Sequence, residues 1–279
     1  MKVGTEYLGD GKCSFTVWAP EKNTATVHIV SPKEQFLEMN KTKEGYFQLT
    51  VENIYPGATY FYRLDSGQDL PDPASHFQPE GVHGPSQVID HSNYQWKDKV
   101  WKGIESKDMI LYEMHLGTFT PEGTFNSMID RLADLADTGI NAIEIMPISQ
   151  FPGNRNWGYD GVHPYSVQNS YGTPDDLRQL VDACHAHGIA VILDMVYNHL
   201  GPEGNYFGLF GPYFTDAYKT PGVRLSILTV TTRMAYGISL QKMLCSGFLP
   251  TTWMACVWMP FIPCTTMELS ISGNILQKR

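Results

Sequence analysis

Three groups of polar residues follow apolar segments of this 279-residue chain, and their side chains are the ones best suited to chemistry. The groups are Glu113 with His115, the segment 156–160 (N-W-G-Y-D), and Asp194 with Asn198 and His199. Carboxylate, imidazole and amide groups bind hydroxyls, while Trp and Tyr rings stack on the C–H groups of sugars. Together they favour a neutral polyhydroxyl ligand. Taken singly, each also has a structural interpretation, because a lone His is most often a satisfied core group and Asp or Asn readily forms turns.

Composition and motif content exclude several other classes of function. The chain has 20 basic and 29 acidic residues, a net charge of −9, whereas phosphate binding needs excess Lys and Arg. It contains no glycine-rich phosphate loop, no Cys/His spacing typical of a metal site and no apolar run long enough to span a membrane. Its five cysteines form no CxxC pair, and its N-terminus lacks the apolar core of a signal peptide. We therefore expect no cofactor, no metal, no nucleic-acid or membrane partner, and a cytoplasmic location.

The elements that must position the polar groups alternate between strand and helix over residues 108–221. The strand candidates are 109–115, 141–146 and 189–196, and the helix candidates are 125–136 and 173–184. Continuous apolar runs are typical of parallel strands buried on both faces. Parallel strands joined by helices have their carboxyl ends along one edge, so the three polar groups should meet there. An open doubly wound sheet and a (β/α)8 barrel both fit this order.

The N-terminal third has the pattern of a small antiparallel β domain. Short alternating segments lie between Gly, Pro and Asn residues at 14–18, 24–30, 45–51 and 59–64. This spacing favours a β-sandwich, and its aromatic residues are more typical of a sandwich core than of a sugar-binding surface. Residues 65–107 are rich in Pro, Gly, Asp and His, which predicts a segment laid over the surface. We divide this part into a domain at 1–90 and a linker at 91–107.

The composition changes near residue 221. Residues 222–279 contain five basic residues, one acidic residue, no Asp and no His, and their apolar runs have neither strand nor helix periodicity. One interpretation is a second, hydrophobic domain. We favour the alternative, which is that residues 222–279 are a tail that is not a native part of the fold.

Several segments resemble those of a known family. Residues 194–199 (D-M-V-Y-N-H) resemble the D-x-V-x-N-H signature of the α-amylase superfamily of glycoside hydrolases, and 157–159 resemble the W-G-Y that places a Tyr beside the sugar. Longer stretches resemble the malto-oligosyltrehalose trehalohydrolases and lie at 72–86, 151–162 and 198–206. Glycogen branching enzymes match these stretches less well. The resemblance covers about residues 4–221.

The resemblance implies both a fold and a site. The fold is an N-terminal β-sandwich (immunoglobulin-like, early set) followed by a (β/α)8 TIM barrel, here incomplete because only 108–221 match its first part. The implied substrate-binding residues are Trp157, Tyr159, Asp194, Asn198 and His199. The implied reaction is hydrolysis of the α-1,4 bond next to the terminal trehalose of a maltooligosyltrehalose. A branching enzyme, another α-amylase-superfamily enzyme and a non-catalytic glucan-binding fragment remain alternatives.

The family mechanism needs carboxylates that this chain does not show. A nucleophilic Asp in a D-G-x-R-x-D-A signature, a Glu acid/base and a further Asp follow later barrel strands, and acetal cleavage requires such paired carboxylates. None of these signatures occurs in the chain as written. We therefore expect no catalytic residue in it and no hydrolase activity as written.

The missing nucleophile signature is present in another reading frame. In the shifted frame, each codon consists of the third base of one present codon and the first two bases of the next. The codons of residues 253–260 then encode D-G-[LMV]-[RC]-[LMV]-D-A, and four of these positions are fixed because Met and Trp have single codons. We infer that residues 222–279 are a frameshifted, non-native reading of the barrel, and a genuine hydrophobic domain would not explain this match.

Overall fold

The N-terminal region consists of two antiparallel sheets. In this computed structural model the described residues are 2–196, 199–214, 224–225 and 254–257. The strands are β1 (Gly4–Gly9), β2 (Lys12–Trp18), β3 (Ala25–Ser31), β4 (Gln35–Glu38), β5 (Asn40–Lys41), β6 (Tyr46–Val51), β7 (Thr59–Leu64), β8 (Asp69–Leu70) and β9 (Ser86–Gln87). One sheet has the order β1-β2-β6-β5, and the other has the order β4-β3-β7-β8 with β9 paired to β7. The strands predicted from alternation are confirmed.

A shared apolar core joins these two sheets. Phe15 and Val27 are fully buried and come from different sheets, and the Phe15 ring meets Tyr60 edge-on with 5.1 Å between centroids. Tyr60 in turn packs against Tyr62 in the same geometry. The alternating pattern of the strands therefore gives each sheet one apolar face, and those faces are buried together.

The second region is built on a parallel sheet. Its elements are β10 (Leu111–Met114), α1 (Leu116–Phe119), α2 (Phe125–Ile129), α3 (Leu132–Asp137), β11 (Ala142–Ile145), β12 (Ser149–Gln150), β13 (His163–Val167), α4 (Pro174–Ala186), β14 (Ala190–Asp194), β15 (His199–Leu200) and α5 (Phe207–Phe210). Strands β10, β11 and β14 pair in parallel and in sequence order, which confirms the predicted strand–helix–strand arrangement. Among the described residues, no helix is long and apolar enough to cross a membrane.

Helix α4 begins as its sequence predicts. Thr173 is the N-cap, and its hydroxyl and the Asp176 carboxylate bond each other's backbone N–H groups to form a capping box. Pro174 occupies the first turn, where its missing N–H costs no hydrogen bond.

The other predicted helix, 125–136, is divided in the structure. It forms α2 and α3, because the N–H of Arg131 bonds the carbonyl of Met128 in a tight turn between them. Phe125, Met128 and Leu132 nevertheless remain buried on one side.

Residues 90–101 are fixed against α4 by polar contacts. Asp182 accepts hydrogen bonds from the Tyr94 hydroxyl (2.6 Å) and from the backbone N–H of Lys97 (3.1 Å). One turn further on, His185 Nδ1 lies 2.8 Å from the Asp98 carboxylate, and the imidazole ring stacks on Trp101. The predicted surface segment is thus bound to a polar stripe of this helix.

Most of the predicted foreign tail, 222–279, lies outside the described residues. Two short pieces are described by their backbone pairing: β16 (Arg224–Leu225) pairs antiparallel with β15, and β17 (Met254–Val257) pairs parallel with β14. The strand order β10-β11-β14-β17 therefore has a fourth member at the position of the next barrel strand. The non-native character of the tail stays a prediction.

Candidate active site

Side chains of the parallel sheet alternate between two faces, and the acidic ones share the face away from the helices. Ile143 and Ile145 of β11 are buried in the core with the helices. Glu144 lies between them and therefore points the opposite way, level with Glu113 on β10. Asp194 ends β14, two residues beyond the position paired with Glu144. Three carboxylates thus occupy the inner face near its C-terminal edge.

Asp194 and Tyr159 form the central contact of this edge. The Tyr159 hydroxyl donates a hydrogen bond to Asp194 Oδ2 at 2.8 Å, and the Asp194 residue is only 5% exposed. Burial raises the pKa of Asp194, and the negative charge of Glu113 raises it further. The hydrogen bond from Tyr159 acts in the opposite direction and lowers this pKa. Burial and the neighbouring Asp194 also raise the pKa of Tyr159, so the phenol remains a donor.

Asn156, the first residue of the loop that carries Trp157 and Tyr159, stabilises that loop by hydrogen bonds. The side chain of Asn156 accepts a hydrogen bond from the N–H of Gly158 (2.7 Å) and donates one to Asp160 (2.8 Å). Gly158 has φ +94°, and a Cβ there would lie 1.9 Å from the carbonyl oxygen of Pro147, so only glycine fits. The Trp157 side chain remains 72% exposed on this fixed turn.

His115 fastens the same loop to the end of β10. Its Nε2 lies 2.8 Å from the carbonyl oxygen of Asn156 and 3.1 Å from the Tyr171 hydroxyl. Its Nδ1 lies 3.1 Å from the Thr118 hydroxyl. These contacts satisfy the imidazole on both nitrogens, which gives it a positioning part in the site.

Of the five predicted binding residues, three come together directly. Tyr159 contacts Asp194, and its carbonyl oxygen lies 2.9 Å from His199 Nε2. Trp157 lies on the same turn with its ring towards solvent, and Asn198 lies outside the described residues. The arrangement matches the expected meeting of strand-end loops, while binding of substrate by these residues stays a prediction.

Glu144 is a site residue that the sequence reasoning did not single out. Burial first, then the charges of Glu113 and Asp194, raise its pKa. Its signal in the sequence was a lone acid inside an otherwise apolar strand (A-I-E-I). Within the described ranges, no group of three or more His, Cys, Asp or Glu could hold a metal ion.

Comparison with known proteins defines the class of this chain. Residues 75–215 match the model of the α-amylase catalytic domain, which is about half of the chain and includes every described residue of the candidate site. The chain therefore belongs to the α-amylase family, with a TIM-barrel-type glycoside hydrolase fold.

Two curated relatives share a more particular name. The chain is 48% identical over 221 residues to malto-oligosyltrehalose trehalohydrolase from Saccharolobus solfataricus, covering 79% of this chain and 39% of that protein. It is 41% identical to the enzyme of the same name from Deinococcus radiodurans, covering 77% of this chain and 35% of that protein. The chain thus spans less than two-fifths of the length of these relatives.

Solved structures agree on the fold. A putative α-amylase from Salmonella typhimurium is 40% identical and superposes with a TM-score of 0.82, covering 89% of this chain and 42% of that one. A pullulanase from Anoxybacillus is 23% identical with a TM-score of 0.72 over 87% of this chain and 42% of that one, which is a likeness of fold alone.

Proposed function

We propose that the chain is the N-terminal part of a malto-oligosyltrehalose trehalohydrolase. That enzyme would release trehalose by hydrolysing the α-1,4 bond next to the terminal trehalose of a maltooligosyltrehalose. The observation that carries the proposal is the Tyr159–Asp194 pair at the strand ends, in a chain 48% identical to a relative of that name. The proposed ligand is a maltooligosyltrehalose or another α-glucan, bound in the cytoplasm without cofactor or nucleic acid.

In this proposal the described residues bind the sugar and do not attack it. Tyr159 offers a ring for stacking, and its hydroxyl orients Asp194, whose carboxylate binds sugar hydroxyls. Trp157, Asn198 and His199 complete the binding set. The nucleophile and the acid/base would come from later barrel units, beyond 108–221.

The finer architecture belongs to the same proposal. We take the two N-terminal sheets as an immunoglobulin-like sandwich of early-set type and the parallel sheet as the first units of an incomplete barrel. Residues 222–279 would then be a frameshifted reading of the next units, and repair of one base near codon 221 would restore them.

The test compares the two readings of the gene. We expect no trehalose release from maltotriosyltrehalose by the 279-residue chain, since both the covalent intermediate and the leaving-group proton need absent residues. We expect release after a one-base repair near codon 221 when the downstream gene is included. Release by the chain as written, free of contaminating enzyme, would contradict the assignment of the missing catalytic residues.

A second candidate is a glucan-binding protein without catalysis. It is favoured by the described part of the site, which offers the 72% exposed Trp157 ring and the Tyr159–Asp194 pair for binding a sugar. A branching enzyme is less favoured, because the GlgB branching enzyme of Pseudoalteromonas atlantica is 31% identical to this chain, compared with 48% for the trehalohydrolase relative. Binding of glucan by the repaired protein without any cleavage would select the binding protein.

A further inference from the structure

Glu113, Glu144 and Asp194 lie on three neighbouring strands of the parallel sheet, and the register brings them close together. Glu113 is paired with Glu144 across β10 and β11, and neighbouring strands lie about 4.8 Å apart. Glu144 is paired with Ile192 on β14, and Asp194 follows Ile192 by two residues. Two residues of a strand rise about 6.6 Å, so the Cα atoms of Glu144 and Asp194 lie roughly 8 Å apart. Glu113 and Glu144, the glutamate pair, thus lie one layer of side chains below Asp194.

A second layer of side chains separates the glutamate pair from the C-terminal edge of the sheet. The next inner-face position after Glu144 on β11 is Met146, which the register places level with Asp194. The N–H of Met146 bonds the carbonyl oxygen of Met114 at 3.0 Å, so the pairing of β10 and β11 continues to this level. His115 occupies the same level on β10. A sugar bound at the edge through Asp194 would therefore not contact the glutamate pair.

The three carboxylates repel one another through space. Burial, and after it the negative charges of Glu113 and Asp194, raise the pKa of Glu144. Burial and the charge of Glu113 also raise the pKa of Asp194, against the hydrogen bond from Tyr159. As pH falls, the first proton taken up by two such close carboxylates relieves their repulsion, so the other carboxylate keeps its charge to a lower pH. One negative charge therefore persists beneath Asp194 after the pair has taken up a proton.

Other titratable side chains on the strands and the loop around Asp194 are His115, Arg155, Tyr159, Asp160 and His199. Tyr159 donates its hydroxyl to Asp194 itself. The two histidines each have a ring nitrogen near a backbone carbonyl oxygen, at 2.8 and 2.9 Å. Asp160 accepts a hydrogen bond from the side chain of Asn156, and Arg155 is exposed. The negative surroundings of Asp194 are therefore set from below, by the glutamate pair.

We propose that Glu113 and Glu144 are positioning residues whose negative charge makes Asp194 a stronger acceptor for a sugar hydroxyl. The inference rests on the proposed function, in which Asp194 binds the sugar. A nearby negative charge makes a carboxylate more basic, and a more basic carboxylate accepts a stronger hydrogen bond. The same charge makes binding fail at a higher pH, because Asp194 must be ionised to accept the hydroxyl.

The experiment removes the charge of the glutamate pair and keeps the shape of both side chains. Ligand-observed NMR measures the affinity for maltopentaose at pH 7 and pH 5 for the 279-residue chain, for Glu113→Gln, for Glu144→Gln and for the double variant. Circular dichroism checks that each protein is folded at both pH values. We expect the wild-type chain to lose affinity about twofold from pH 7 to pH 5, as Asp194 begins to take up a proton.

The double variant should differ from the wild-type chain in two ways. It should bind about threefold more weakly at pH 7, because Asp194 becomes a weaker acceptor. It should lose no further affinity at pH 5, because its Asp194 stays ionised to a lower pH. Each single variant should show less than about half of both changes, because the remaining glutamate keeps its charge. If the double variant does not fold, the single variants provide the test, with changes in the same directions.

Glu52→Gln is the matched control, because Glu52 is an exposed carboxylate of the N-terminal region, and it should behave as the wild-type chain does. Unchanged affinity at pH 7 in the variants of the glutamate pair would overturn the inference. A weaker affinity that still falls twofold at pH 5 would show a structural role and would also overturn it. Failure of the wild-type chain to bind maltopentaose, or equal binding by Asp194→Asn, would instead overturn the proposed function.

Discussion

The core between the N-terminal sheets and the first edge of the parallel sheet differ in how completely they bury apolar side chains. The N-terminal sheets cover each other, and Phe15, Val27 and Tyr60 have no exposed surface. The first strand of the parallel sheet instead leaves Leu111 and Tyr112 about two-fifths exposed. Edge strands with exposed apolar side chains are normally covered by another element. The N-terminal core is therefore closed, with Phe210 of α5 packed into it. The second region instead presents the candidate binding residues on a sheet whose edge lacks a neighbour among the described residues.

We expect the largest effect from a substitution in the core between the N-terminal sheets, compared with one on the edge of the parallel sheet. Phe15→Ala should reduce the free energy of unfolding by about 3–5 kcal/mol, because it leaves a cavity in a fully buried core. Tyr112→Ala, on the open edge, should cost less than about 1 kcal/mol. Urea unfolding followed by circular dichroism measures both, and equal losses would show that the two regions are packed alike.

We expect low pH to reduce the free energy of unfolding through buried titratable groups where the two regions join. Burial lowers the pKa of His76 and His163 to about 4, so they stay neutral in the fold, and their stabilising contribution is lost as pH falls from 6.5 through 4. Burial raises the pKa of Asp72 to about 6, so its contribution is present at low pH and lost as pH rises through 6. These histidines outweigh Asp72, and His91 acts in the same direction because burial lowers its pKa as well. The wild-type chain should therefore lose stability from pH 7 to pH 4.5, by an amount on the order of 3 kcal/mol.

Urea titrations at pH 7 and pH 4.5 measure this balance. Asp72→Asn should steepen the loss, since it removes a contribution of opposite sign. Stability that stays constant or increases towards pH 4.5 in the wild-type chain would show that these histidines are protonated within the fold.

The turn that carries Trp157 should tolerate no side chain at Gly158. Gly158→Ala adds a positive-φ strain of about 1–2 kcal/mol to a clash with the Pro147 carbonyl, and should abolish glucan binding. Gly153→Ala is the matched control, because Gly153 also has positive φ but has no atom within 4 Å of the added Cβ. Binding retained by Gly158→Ala would mean that the turn does not position the site.

The smallest effect concerns the segment along α4. Asp182→Asn weakens the bonds to Tyr94 and Lys97 and should cost about 1–2 kcal/mol. It should also speed proteolysis between residues 91 and 107. Asp134→Asn, at an exposed ion pair, is the control and should leave the cleavage rate unchanged.

Local patterns made the fold predictable, and distant contacts made part of the site unpredictable. The Thr173 cap and the apolar strands follow from residues within a few positions of one another. The Tyr159–Asp194 contact was predictable because parallel strands place their ends together. The contact of His115 Nε2 with the Asn156 carbonyl oxygen joins residues 41 positions apart and has no local periodicity, so only the folded arrangement reveals it. Glu144 was overlooked because the strand that contains it was assigned by its apolar neighbours.

The central claim is that the C-terminal edge of the parallel sheet binds α-glucan through Asp194. Its most direct test is titration of the wild-type chain and of Asp194→Asn with maltopentaose, followed by ligand-observed NMR. We predict saturable binding by the wild-type chain with the sugar recovered intact, and at least tenfold weaker binding by Asp194→Asn at unchanged melting temperature. Equal affinities of the two proteins would contradict the account.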